Sequence, residues 1–106
     1  MRFFRRTGKI EARDTAERLA AGNVIVVDVR QHEEWSSGHI RGAIHLPLAR
    51  VARSPQDVPS GKTIVTVCAS GHRSGIAART LSRAGYDVLD LRGGMRAWAR
   101  AGLPLS

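Results

Sequence analysis

Apolar residues along this chain fall into short runs separated by polar and glycine-bearing segments, and two of the runs do not alternate. Val24-Ile25-Val26-Val27 is continuously apolar and β-branched and stops at Asp28; Thr63-Ile64-Val65-Thr66-Val67 is similar and stops at Cys68. A run without alternation suits a strand covered on both faces, as in a parallel sheet. Shorter strand candidates are Ala43 to Leu46, stopped by Pro47, and Asp87-Val88-Leu89-Asp90. Elsewhere the period is helical. Ile76, Ala77, Thr80, Leu81 and Ala84 share one face, with Gly85 as the stop. Asp14-Thr15-Ala16-Glu17 reads as a capping box opening a short helix that carries Leu19 and Ala20 and ends at Gly22. Glu33-Glu34-Trp35 predicts a helical turn closed by Gly38. The stretch from Leu48 to Gly61, with Pro55 and Pro59, predicts a short helix and then a loop. Gly93-Gly94 turns the chain into a last helix holding Ala97 and Trp98, ended by Gly102 and Pro104. Strands alternating with helices predict an α/β fold: a three-layer sandwich with a central, mostly parallel sheet flanked by helices.

The chain has 106 residues, about one domain, of which 42% are hydrophobic and 25% charged. That is globular composition and excludes a disordered tail. Cys68 is the one cysteine, so an intrachain disulfide and a thiolate zinc cluster are excluded. The four histidines are scattered, and neither a metal nor a cofactor is expected. No apolar run approaches the ~20 residues of a membrane span, so no membrane is expected as partner. Met1-Arg2-Phe3-Phe4-Arg5-Arg6 is basic with no apolar stretch behind it, which does not read as a secretory signal. A free thiol without such a signal reads as cytoplasmic. Residues 1–9 read as a basic arm and 10–106 as the domain.

The net charge is +8, and 15 of the 17 basic residues are arginine. They are spread from Arg2 to Arg100 and only five residues are Phe, Trp or Tyr, so nucleic acid is not the expected partner. A solvated basic surface and steering of a small anion remain as readings.

The chemistry concentrates in Cys68-Ala69-Ser70-Gly71-His72-Arg73-Ser74, between a buried strand and a helix. In such sheets ligands bind beyond the carboxyl ends of the strands. Inward backbone N–H groups of a tight loop form an anion nest, the positive end of the following helix faces the same spot, and Arg73 adds a permanent cation. Each favours thiolate over thiol, which makes Cys68 a candidate nucleophile. Gly71 fits a loop position that needs positive φ. A lone cysteine is otherwise a small buried hydrophobe, but that role belongs within a strand or helix face rather than after one.

The chain resembles a single-domain rhodanese, a thiosulfate sulfurtransferase, from about Ile10 to Gly102. The loop matches that family's cysteine, two residues, glycine, one residue, arginine. Asp28-Val29-Arg30, Glu34-Trp35 and the segment from Gly38-His39-Ile40 through Gly42-Ala43 to His45-Leu46-Pro47 are similar to its upstream signatures. Gly85-Tyr86-Asp87-Val88 and the segment from Leu91-Arg92-Gly93-Gly94 to Trp98 are similar to its carboxyl-terminal one. The resemblance implies a rhodanese-like sandwich and a ping-pong transfer. The Cys68 thiolate takes the outer sulfur of thiosulfate or a related small anionic donor, and a thiophilic acceptor such as cyanide or a thiol removes it. The persulfide would be held by N–H groups of Ala69, Ser70, Gly71, His72 and Arg73, with Ser74 in support. Arg73 orients the donor or holds the loop; a surface salt bridge is the plainer alternative. A sulfur-relay or persulfide-sensing module with a protein thiol as acceptor would use the same loop. Phosphatases and arsenate reductases of this fold have one more residue between cysteine and arginine than the four, Ala69 to His72, found here, which disfavours phosphate esters.

The family's pattern makes Asp28 and Arg30 mainly scaffolding, with Asp28 accepting hydrogen bonds and Arg30 expected to pair with Glu34. His39 and His45 are expected as hydrogen-bonded framework. The His72 side chain is expected to face solvent. Arg92 and Arg96 either flank the pocket mouth or are simply solvated.

Overall fold

The computed structural model describes residues 8–106. The two unbroken apolar runs become adjacent strands, β2 (Val24–Asp28) and β4 (Thr63–Val67), paired in parallel from Val24 opposite Thr63 to Asp28 opposite Val67. β5 (Val88–Leu91) and then β1 (Gly8–Ile10) extend the sheet beyond β4, and β3 (Ile44–His45) closes the other side. All pairs are parallel and the order is β1-β5-β4-β2-β3.

Side chains of successive strand residues point to opposite faces, so each central strand feeds two cores. Ile25, Val27, Ile64 and Val88 pack on one face, under α3 (Leu48–Arg53) and α4 (His72–Arg83), which supply Val51, Ala77, Ala78 and Leu81. Val24, Val26, Val65, Val67 and Leu91 pack on the other, with Ala12 from α1 (Ala12–Ala20) and Trp98 from α5 (Gly94–Arg100). Burial on both faces is why neither run alternates. The short α2 (His32–Ser36) buries no residue. It stands outside the layers, beyond the end of β2.

Three elements differ from the sequence reading. Gly8 and Lys9 are not part of an arm: they belong to β1, opposite Leu89 and Asp90, so the sheet begins two residues before the expected boundary. Arg2, Arg5 and Arg6 lie outside the described residues. The capping box at Asp14–Glu17 is not a helix start; α1 begins at Ala12 with Glu11 as its N-cap. Thr15 is buried and its hydroxyl donates back to the Glu11 carbonyl at 2.9 Å, so that side chain serves inside the first turn rather than before it. The buried stripe of α4 is Ser74, Ala77, Ala78 and Leu81, while Ala84 is the exposed C-cap.

A parallel sheet brings the carboxyl ends of its strands to one edge. Asp28, Cys68 and Arg92 therefore share that end. The opposite end carries a shallow depression lined by Gly22, Asn23, Gly61, Lys62 and Gly85. Among the described residues no helix is long and apolar enough to cross a membrane.

Candidate functional site

Cys68 follows β4 directly, is 1% exposed, and sits at the head of α4. Its Sγ accepts N–H bonds from Gly71 at 3.1 Å and Ser74 at 3.3 Å, and the Ser74 hydroxyl lies 3.3 Å away. Gly71 is the N-cap of α4 at φ +114°, a conformation L side chains rarely adopt, and that turn is what aims its N–H at the sulfur. Burial pushes the Cys68 thiol up. The Ser74 hydroxyl and the amides of Ser74, Gly71 and Ser70 outweigh that, leaving the thiol below its ordinary value. The sulfur is held by a small polar cradle whose donors shift the balance toward its charged form.

That cradle differs in detail from the expected one. Hydrogen bonds to Sγ come from Gly71 and Ser74 and, among the described residues, not from Ala69, His72 or Arg73. His72 is exposed and opens α4. Arg73 is not aimed at the sulfur: its guanidinium makes a bidentate pair with Glu34 at 2.7 and 2.9 Å. The Arg73 bond holds the Glu34 carboxyl at about 2, against an opposing contribution from burial. Glu34 in turn keeps the Arg73 guanidinium firmly protonated, with the charge at Cys68 a lesser contributor.

Arg30 does not pair with Glu34. It folds onto Asp28, with Nε 3.0 Å from both carboxylate oxygens and Nη2 2.8 Å from Oδ2, and Nη2 also donates to the Gly38 carbonyl at 2.8 Å. The Arg30 N–H donates to Asp28 Oδ1 at 3.0 Å as well. Asp28 is fully buried, so a carboxylate two residues away in the same tight bend outcompetes the half-exposed Glu34 for the guanidinium. His45 Nε2 lies 2.7 Å from the Arg30 carbonyl and His39 Nδ1 2.9 Å from that of Trp35. Both imidazoles stack on the Trp35 ring, His39 at 3.6 Å and His45 at 4.9 Å between centroids.

The loop is also fixed from below. Met95 N–H donates to the Cys68 carbonyl at 2.8 Å and Arg96 N–H to that of Ala69 at 3.1 Å. A Cβ on Gly94, at φ +59°, would collide with the Cys68 carbonyl oxygen, so only glycine lets the start of α5 approach this closely. Sequence reading missed a further support. Asp90 in β5 is 2% exposed, receives Lys9 Nζ at 2.7 Å and the Thr66 hydroxyl at 3.0 Å, and lies beneath Gly71 and Gly75. A carboxylate closing an otherwise apolar strand run was the available signal. Among the described residues no group of three or more His, Cys, Asp or Glu is placed to hold a metal ion.

Residues 11–101 match the family model described as a rhodanese-like domain. The chain belongs to the rhodanese-like domain family. It is 38% identical over 99 residues to a sulfurtransferase of Allochromatium vinosum, covering 92% of each chain. It is 38% identical over 74 residues to a putative sulfur carrier protein of Bacillus subtilis, covering 69% of this chain but 40% of that protein. The fold superposes on a rhodanese-related protein of Thermoplasma volcanium with a TM-score of 0.87 at 29% identity, covering 93% of this chain and 97% of that one. In this rhodanese-like domain the strand, the cysteine loop and the helix after it all lie within the matched span.

Proposed function

We propose that this rhodanese-like domain is a sulfurtransferase in which Cys68 carries the sulfur. The Cys68 thiolate attacks the outer sulfur of thiosulfate, the bond to the sulfonate sulfur breaks with its electron pair, and sulfite leaves. Cys68 then holds a persulfide anion. A thiophile such as cyanide attacks the terminal sulfur, departs as thiocyanate and returns the thiolate. Charge balances in both steps, and the attacking species is the thiolate form that the loop's hydrogen-bond donors favour. The Gly71 and Ser74 N–H groups and the Ser74 hydroxyl receive the negative charge, with Ala69, Ser70, His72 and Arg73 forming the rest of the loop around the transferred sulfur. Asp28 and Arg30 brace the neighbouring strand end. The first step requires a reduced thiol, which fits a reducing compartment such as the cytoplasm.

The observation that carries this reading is a buried sulfur with two N–H donors and a hydroxyl at the head of a twelve-residue helix. Mass spectrometry after thiosulfate treatment tests it. One added sulfur, removed by cyanide and absent from Cys68→Ser, is expected; a Cys68→Ser protein that still transfers sulfur overturns it. The likeness to a putative sulfur carrier protein favours a second reading, in which a protein thiol is the acceptor. Persulfidated protein that passes sulfur to one partner far faster than to cyanide or glutathione would select it.

A further inference from the structure

The cations around the Cys68 loop are nearly all matched. Arg73 is held by Glu34, Arg30 by Asp28 and the Gly38 carbonyl, Lys9 by Asp90, and Arg92 Nε by Glu11 at 2.7 Å. Arg79 Nη1 also lies near Gly75, but among the described residues it has no ion pair, since Asp90 is taken by Lys9. Each of the four pairs is close to neutral from a distance, so Arg73, Arg30, Lys9 and Arg92 present no net positive charge to an incoming anion. His72, on the loop itself, is an imidazole rather than a permanent cation.

Around the loop, Arg79 and Arg96 are the exceptions among the described residues, and of the two Arg96 is the one whose backbone is bonded to the cysteine loop. Its backbone N–H is bonded to the Ala69 carbonyl, next to the nucleophile, and Gly94 two residues earlier presses α5 onto the same stretch. The residue is exposed, and among the described residues its side chain has neither a hydrogen bond nor an ion pair. A permanent cation on a flexible tether is thus anchored at its backbone to the loop that holds the buried Cys68. We infer that Arg96 is the specificity-determining cation of the Cys68 site, selecting reactants whose leaving portion is anionic, whereas Arg73 is a positioning residue. This rests on the sulfur-transfer reading for its donor class but not for its test.

The test compares Cys68 alkylation by anionic iodoacetate with that by neutral iodoacetamide. Their rate ratio cancels any change in thiolate reactivity and reads only the preference for negative charge. At low ionic strength the ratio falls about threefold in Arg96→Gln and about sevenfold in Arg96→Glu, the effect of removing or reversing one charge several ångströms away across water. High salt brings the variants together. Lys62→Gln, which removes the same charge at the opposite end of the sheet, leaves the ratio as in the unaltered protein. With thiosulfate as donor, Arg96→Gln raises KM while kcat is kept. An alkylation ratio that is the same in Arg96→Glu and the unaltered protein at low salt overturns the assignment, whatever the protein does with thiosulfate. A normal fall in the ratio without persulfide formation upholds Arg96 as anion selector and overturns the donor reading instead.

Discussion

Two arginine–carboxylate clamps flank the carboxyl ends of β2 and β4, and they differ in what surrounds them. In the first, Asp28 and Arg30 have side chains 0% and 8% exposed, and both belong to one bend of the chain. In the second, Glu34 and Arg73 are 35% and 30% exposed and are 39 residues apart in sequence. A desolvated pair contributes little net stability while intact, yet removing one partner strands a charge where water cannot reach it. A half-exposed pair is screened and exchanges freely with water. The first clamp therefore belongs to the frame that makes the strand ends rigid. The second belongs to the loop, whose grip it sets without deciding whether the domain folds.

The largest expected effect comes from breaking the buried clamp. Asp28→Ala leaves Arg30 without its anion, and urea unfolding should show a loss of about 3–5 kcal/mol, a large share of a small domain's stability. A loss below about 1 kcal/mol would mean that Arg30 finds water on its own and that the two clamps are alike. Glu34→Gln should cost about 1 kcal/mol or less in the same measurement. Hydrogen exchange at the Ser70 to Arg73 amides should nevertheless quicken, since the loop has lost its outer anchor. The smallest effect is in pH. The Glu34 carboxyl is held at about 2 rather than 4.5, so the unfolded chain takes up its proton first as pH falls. The stabilisation is complete above pH 4.5 and declines between there and about pH 2. The stability difference between the unaltered protein and Glu34→Gln should shrink across that window; a gap that persists at its acid end would assign the difference to packing rather than charge.

What could be read in the sequence follows from how local each feature is. β2 and β4 are legible because burial on both faces leaves an unbroken apolar run. The Cys68 loop is legible because its donors, Gly71 and Ser74, lie within six residues of the sulfur. β1 is not: Gly8-Lys9-Ile10 offers one apolar side chain, and its pairing partners lie near the far end of the chain. Nearness in sequence also misleads. Arg30 and Glu34 have the spacing of a helical ion pair, but Arg30 precedes α2 and its backbone N–H already points at Asp28. The partners that matter, Glu34 with Arg73 and Lys9 with Asp90, are set by strand order, which residue spacing does not record.

Because every strand runs the same way, the molecule has a reactive pole and a silent one. The turns at Gly22-Asn23, Gly61-Lys62 and Gly85 lie a full strand length from the sulfur, on backbone that touches neither clamp. A fluorophore, an affinity handle or an inserted loop grafted there would ride on the domain without meeting the reactants, which makes that antipode the natural place to attach any reporter of the chemistry.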